Sequence, residues 1–149
     1  MSVDFLLDVN VLIARADSRH EHHARCRRWE NAHAAAALCT CPLTENGFLR
    51  IYGHPRYPGG PGSPGEALVE LRYLLAFPSH RFLPADLTVA HAPTFGDLRG
   101  VTPKQLADLY LLAVALRHGV RFATLDEAVP ATLISGGPAA LHVIPPEGA

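Results

Sequence analysis

Short apolar runs alternate along the chain with longer segments whose apolar residues recur at helical spacing. The runs have the length of buried strands and predict strands at 5–7, 37–41, 81–83, 120–124 and 141–144. Strands that alternate with helices favour an α/β sandwich around a mostly parallel sheet. Ligands of such sheets bind beyond the carboxyl ends of the strands, so polar residues at those ends are the first candidates for function.

The helical segments begin near Val9 and at 21–37, 42–52, 66–77 and 102–118. The last is the most clearly bounded, because Thr102 can cap the free amides, proline fits the first turn and Gly119 can end the helix. For the 21–37 helix, Asp17 or Ser18 is the candidate cap. The Pro/Gly-dense stretch at 54–65 predicts a surface loop within the same domain.

Composition indicates a single globular domain over residues 1–149. The chain is 48% apolar and 18% charged, and no apolar run is long enough to span a bilayer. The N-terminus lacks the positive start of a signal peptide, so a cytoplasmic protein is expected. The cysteines, at 26, 39 and 41, are odd in number and form no C-x-x-C pair, which argues against a disulfide framework or a zinc site.

The net charge of −1 gives the protein no overall basic field. One segment is nevertheless rich in arginine, at positions 15, 19, 25, 27 and 28. The planar guanidinium suits phosphate recognition, because it can bind two oxygens at once. A solvated helix face is an equally good interpretation of this segment, and the sequence leaves the choice open.

Four acidic residues lie beside or within apolar runs: Asp8, Glu45, Asp108 and Asp126. A carboxylate near an apolar core is unfavourable unless something pairs with it, so four of them suggest a shared partner. A hard divalent cation, Mg²⁺ or Mn²⁺, is the natural partner for clustered carboxylates, and it points to phosphodiester or phosphoryl chemistry. The alternatives are a helix cap at Asp8, a first-turn glutamate at 45 and a turn aspartate at 126.

The order and spacing of four motifs resemble the PIN-domain ribonucleases, and more closely the VapC-type toxins of bacterial toxin–antitoxin pairs. The motifs are Asp8-Val9-Asn10-Val11-Leu12, Thr44-Glu45, the segment 102–113 and Thr124-Leu125-Asp126. The similarity extends from about Phe5 to Ile144. It implies a three-layer α/β/α sandwich with a central, mostly parallel sheet, and cleavage of RNA that depends on Mg²⁺ or Mn²⁺.

The resemblance also assigns roles to single residues. Asp8, Glu45, Asp108 and Asp126 match the acidic positions and are expected to be catalytic residues and metal ligands. Asn10 and Thr124 match polar positions that orient water or carboxylates. A histidine-rich stretch is common in the bacterial members, and we take Arg15, His20, His22 and His23 as possible RNA contacts. Exposed histidines at a helix start are the alternative for that stretch.

Partners follow from the same resemblance. VapC-type toxins act on RNA, are typically homodimers and are silenced by a small antitoxin protein. The leucines at 68, 71, 74 and 75, with Trp29, form a candidate apolar stripe for a helix of that antitoxin.

Two other functions are compatible with parts of the sequence. A phosphatase of the haloacid dehalogenase type also begins with an apolar strand and an aspartate. It needs a second aspartate two residues later, where this chain has Asn10, and a lysine ahead of a late acidic pair, which Lys104 lacks. A catalytically inert PIN-like binding domain is the other alternative, and the presence of all four acids argues against it.

Overall fold

A parallel sheet with its first strand at the centre organises the fold. The computed structural model describes residues 3–90 and 94–147. Within them the strands are β1 (Phe5–Leu7), β2 (Leu38–Thr40), β3 (Arg81–Phe82), β4 (Arg121–Thr124) and β5 (Leu141–Val143). All pair in parallel, in the order β3-β2-β1-β4-β5. The predicted strands are therefore confirmed; β1 has the predicted bounds, and the other four are one or two residues shorter than their apolar runs.

Helices cover both faces of this sheet. They are α1 (Val9–Ala16), α2 (His23–Ala32), α3 (Pro42–Tyr52), α4 (Pro64–Leu75), α5 (Pro103–Arg117) and α6 (Gly137–Ala140), with a 3-10 turn at Ala131–Leu133. Because successive strand residues point to opposite faces, Phe5 and Leu7 pack with α1 to α4, whereas Leu6 packs with α5 and α6. Two separate cores result, and the predicted three-layer α/β/α sandwich is confirmed.

Several helix boundaries differ from those predicted. The second helix begins at His23 and not near Glu21, ends at Ala32 and has no side-chain cap. Asp17 instead lies at the end of α1, where its carboxylate accepts hydrogen bonds from the Arg19 amide and the Tyr57 hydroxyl. The fourth helix starts earlier than predicted, because Ser63 caps it and a proline occupies its first turn. None of the helices in 3–90 and 94–147 has the length and apolar character needed to cross a bilayer.

The proposed apolar stripe for an antitoxin helix is wrong. Leu71, Leu74 and Trp29 are buried in the core between the sheet and α1 to α4, and Leu68 and Leu75 pack against it. The helical spacing of these residues reflects their packing within the domain. Cys39 and Cys41 are likewise buried together in the other core, as free thiols.

A buried aromatic cluster joins β1, α2 and β5. The Nε1–H of Trp29 donates a hydrogen bond of 2.8 Å to Nε2 of His142. The ring of Phe5 lies 4.9 Å from each of these two rings, centroid to centroid. Burial, together with the nearby charge of Arg121 and the neighbouring His33, lowers the pKa of His142 from 6.5 to about 4. The imidazole is therefore a neutral acceptor at neutral pH.

We expect the stability of the fold to depend on His142 below pH 7. The unfolded chain protonates this histidine near pH 6.5 and the folded chain near 4, so its contribution is complete above about 6.5 and is lost as the pH falls toward 4. His142→Gln keeps an acceptor for Trp29 but does not titrate. Melting temperatures of both proteins at pH 7 and 4.5 should show a smaller fall for the variant. The exposed His54→Gln should behave as wild type, and an equal fall in all three would contradict the assignment.

Candidate active site

Asp8 lies where β1 passes into α1. Its Oδ1 accepts a hydrogen bond of 2.7 Å from the amide of Val9, and its Oδ2 accepts one of 2.7 Å from the hydroxyl of Thr124. Only 6% of the residue is exposed. Burial raises the pKa of Asp8 against the opposing effect of these two hydrogen bonds, and Asp126 raises it further. Asp8 therefore caps α1, as one of its two interpretations predicted, and it is also a buried carboxylate.

Thr124 connects Asp8 to the acid after the neighbouring strand. Its oxygen donates to Asp8 and accepts hydrogen bonds from the Nδ2 of Asn10, at 3.3 Å, and the amide of Asp126, at 3.1 Å. The Oδ1 of Asn10 in turn accepts from the amide of Leu125. These bonds fix the loop after β4 against the start of α1. Asn10 and Thr124 are thus joined to the carboxylate of Asp8 by hydrogen bonds.

Asp108 approaches the same place from α5. Only 8% of it is exposed, and burial, together with Asp8 and Asp126, raises its pKa to about 7, while Lys104 opposes the shift. The Nζ of Lys104 lies 3.7 Å from Oδ2 of Asp126. The carboxylates repel one another, because Asp126 raises the pKa of Asp8, and both of them raise the pKa of Asp108.

Two adjoining clefts open at these acids. The larger, of about 680 Å³, runs between α3 and α5 and is lined by Asp8, Asp108 and Lys104, with Leu43, Asn46, Gly47, Arg50, Ile51 and Leu111 among its walls. The smaller, of about 370 Å³, is lined by Asp8, Asn10, Asp108, Asp126 and Lys104, with His20 and Tyr57 opposite. The tertiary structure thus brings three of the four predicted acids together at the carboxyl end of the sheet.

Glu45 is placed apart from the other three. It lines neither cleft, and its Oε2 accepts a hydrogen bond of 2.6 Å from the hydroxyl of Thr40. The Thr40 hydroxyl also lies 2.8 Å from Nε2 of His80. Because its proton is donated to Glu45, the Thr40 oxygen accepts the hydrogen bond from His80. Asn46 and Arg50, four residues apart on α3, face the larger cleft. Glu45 projects from the helix about 100° away from Asn46, which explains its separation.

The predicted RNA contacts divide into two groups. His20 lines the smaller cleft, and the half-buried His22 lies beside it with a ring separation of 5.7 Å. Arg15 forms a two-contact ion pair with Glu30, and the Nδ1 of His23 lies 2.8 Å from the carbonyl of Ala14. The last two side chains are therefore occupied within the domain.

The arginine-rich segment of α2 is also largely engaged by the protein itself. Arg25 donates to the carbonyls of Ile144 and Pro145, and Arg28 pairs with Glu147. Arg27 lies 3.5 Å from Glu30. These contacts favour the structural interpretation of the segment over phosphate recognition.

Sequence reasoning missed four polar residues that line the clefts. Lys104 is four residues before Asp108 on α5, a spacing that places both on one helix face. The same spacing on α3 joins Asn46 to Arg50. No helical spacing indicated Tyr57. It lies within the Pro/Gly-rich loop, and the hydrogen bond from its hydroxyl to Asp17 sets its position.

The donor set suits a hard cation. Carboxylate oxygens are the ligands that Mg²⁺ and Mn²⁺ prefer, and Mg²⁺ commonly retains several waters beside one or two protein carboxylates. In the described part of the chain, no three His, Cys, Asp or Glu side chains converge as a complete ligand set. Asp8 and Asp108 line both clefts and Asp126 lines the smaller one, so these are the carboxylates of which one or two would hold such an ion.

Comparisons with known proteins show the family to which the chain belongs. The model of the PIN domain family matches residues 5–132. This chain belongs to the PIN-domain family. Among its relatives in Mycobacterium tuberculosis, ribonuclease VapC38 is 40% identical over 126 residues, covering 83% of this chain and 86% of the relative. Ribonuclease VapC44 is 36% identical over 131 residues, covering 88% and 92%. The resemblance to VapC-type ribonucleases is confirmed, and metal dependence is typical of that family.

A solved structure supports the fold independently. The crystal structure of Mycobacterium tuberculosis VapC20, described as a sarcin–ricin loop cleaving toxin, superimposes with a TM-score of 0.59. The match covers 89% of this chain and 97% of that protein at 12% identity. At this identity the likeness establishes the shared PIN-like architecture.

Removal of one carboxylate from the cluster should stabilise the metal-free protein. Folding raises the pKa of Asp108 to about 7 from 3.8, so its ionisation opposes folding increasingly between these values and fully above pH 7. In EDTA at pH 8 we expect Asp108→Asn to raise the melting temperature by roughly 2–4 °C, and by less at pH 5. The exposed Glu127→Gln is the matched control. A variant that melts at or below wild type at pH 8 would show that repulsion at Asp108 is unimportant.

Proposed function

We propose that this protein is a Mg²⁺- or Mn²⁺-dependent endoribonuclease that acts as the toxin of a toxin–antitoxin pair. One observation carries the proposal: Asp8, Asp108 and Asp126 line the same cleft at the carboxyl end of the sheet. The relatives named as VapC ribonucleases place the same domain in RNA cleavage. Of the two ions, Mg²⁺ and Mn²⁺, we propose that Mg²⁺ is the one bound in the cell.

The chemistry follows from the residues around the cleft. A bound divalent ion supplies Lewis acidity that activates water and neutralises charge on a scissile phosphate. Asp8 and Asp108 would hold it directly, and Asp126 directly or through water. Glu45, which lines neither cleft and is bonded to Thr40, would contribute only through water. The hydroxyl of Thr124 fixes one oxygen of Asp8, and Asn10 fixes Thr124, so the carboxylate is oriented before substrate arrives.

The larger cleft suits a single RNA strand. Arg50 and Lys104 supply positive charge for backbone phosphates, while Leu43 and Ile51 supply an apolar wall for an unstacked base. His20 and Tyr57 form a second wall beside Asp126 in the smaller cleft. An endonuclease cuts within a strand, so the RNA must pass along the cleft and over the acids without a free end bound there.

The partner assignments have separate support. VapC toxins pair with antitoxins, and Leu43, Ile51 and Leu106 are large apolar side chains at least 36% exposed, near or within the larger cleft. These residues replace the buried leucine stripe as the surface for an antitoxin segment, whose arginine would reach the acids. A homodimer acting in the cytoplasm remains our proposal on the family resemblance.

The phosphatase alternative has no support in the structure. The residue two positions after Asp8 is Asn10, and its amide is bonded to Thr124 and the Leu125 amide, so no second carboxylate is available there. The inert binding domain is the alternative that an activity measurement decides.

Purified protein should cleave RNA in Mg²⁺ or Mn²⁺ and stop in EDTA. Asp8→Asn and Asp108→Asn remove charge while they retain shape, and each should reduce cleavage ~100-fold or more. Thr124→Val keeps the Asp8 carboxyl group but removes one of its two hydrogen bonds, so we expect a loss of roughly 10- to 100-fold. Cleavage of a labelled RNA by gel electrophoresis measures all three.

Glu127→Gln is the matched control for this series. It removes an exposed carboxylate adjacent to Asp126 that lines neither cleft, and it should keep full activity. Metal-dependent cleavage that persists in folded Asp8→Asn would refute the proposed site. No cleavage of any RNA by the wild type would favour the inert domain.

Expression of the wild type alone should arrest bacterial growth, because an endoribonuclease without its antitoxin degrades cellular RNA. The Asp8→Asn strain should grow normally with the same amount of folded protein. Growth curves after induction, with protein levels compared by immunoblot, test this. Equal growth of the two strains would remove the toxin role and leave the ribonuclease assignment to the cleavage measurement.

A further inference from the structure

Lys104 occupies an unusual position for a surface lysine. It is the only lysine in the chain, and it lines both clefts together with Asp8 and Asp108. Its side chain is 83% exposed, whereas that of its ion-pair partner Asp126 is 19% exposed. The ammonium group therefore reaches in from solvent over a cluster of largely buried acids.

The cluster needs a positive charge even without metal. Three carboxylates, those of Asp8, Asp108 and Asp126, line the smaller cleft together with Lys104, whose Nζ lies 3.7 Å from Oδ2 of Asp126. Like charges in one cleft repel one another, and the ammonium group offsets that repulsion. A divalent ion bound by the same carboxylates would meet that ammonium group at close range and be repelled by it.

We propose that Lys104 is a tethered cation, which occupies the carboxylate cluster in the metal-free protein and leaves it when a divalent ion binds. This role rests on the proposed metal site. The exchange needs only rotation of the lysine side chain into solvent, since its contact with Asp126 is a single exposed ion pair of small net strength.

The choice of lysine supports an exchangeable role. Arg15 with Glu30 and Arg117 with Asp86 make two parallel contacts, whereas pairs such as Arg28 with Glu147 make one. A guanidinium fork holds both carboxylate oxygens, whereas an ammonium on a flexible stem makes a point contact that is easily replaced. Asp126, facing the cleft, has the point contact at 3.7 Å.

Two opposite effects follow from removing this charge. The metal-free protein loses its counter-ion and should become less stable. The metal should bind more tightly, because no ammonium group competes for the carboxylates. By linkage, both effects arise from the same interaction and should change together.

The experiment compares Lys104→Met with wild type in Mn²⁺ titrations followed by calorimetry, without RNA, and in thermal melts. We expect Mn²⁺ to bind the variant roughly three- to tenfold more tightly at low ionic strength. The variant should melt below wild type in EDTA and at the same temperature in saturating Mn²⁺. Lys104→Arg should bind Mn²⁺ more weakly than wild type, because its fork can hold both oxygens of Asp126.

Arg99→Met is the matched control. Arg99 is exposed and pairs with Asp97 outside both clefts, so its removal changes the net charge equally but leaves the cluster untouched. The tethered-cation role would be overturned if Lys104→Met bound Mn²⁺ no more tightly than wild type. It would also be overturned if Lys104→Met bound Mn²⁺ only as tightly as Arg99→Met does.

The outcomes separate this role from the proposed function. Mn²⁺ binding by wild type that is lost in Asp8→Asn, with no effect of Lys104→Met, overturns the role of the lysine and leaves the metal site standing. If neither wild type nor Lys104→Met binds Mn²⁺, both proposals are overturned.

Discussion

Repulsion among carboxylates at one end of the sheet is the constraint around which the rest of the structure is arranged. The strands β1 and β4 are paired neighbours and parallel, so the residues that follow them emerge side by side. Asp8 and Asp126 are those residues, and α5 adds Asp108 from the opposite layer. Folding therefore concentrates like charge in a partly buried place, and the folded chain must offset that repulsion.

The compensation comes from two sources. One is the pair of apolar cores, which bury Phe5 and Leu7 on one face of β1 and Leu6 on the other, and so hold the strand ends in register. The other is a set of fixed donors, of which the Thr124 hydroxyl is the most direct. Fixed donors satisfy both oxygens of Asp8 in part and one oxygen of Asp126, and they leave the remaining capacity for a cation.

The position of Glu45 limits the repulsion within the carboxylate cluster. Its carboxylate bonds to Thr40 at the end of β2, and His80 completes the contact from the segment before β3. The fourth acid is thus kept out of the cluster, where it would add to the repulsion. Lys104 performs the complementary task inside the clefts by supplying positive charge.

The sequence by itself determined the elements, the order of the layers and the identity of the acids. Apolar period and capping residues located β1, α3 and α5, because those signals act over a few residues. Only the tertiary structure decided which acids meet. It placed Asp108 beside Asp8 and turned Glu45 away, since the rotation of a helix about its axis is fixed by packing. It likewise buried the leucines of α4 that the helical period alone had left available to a partner.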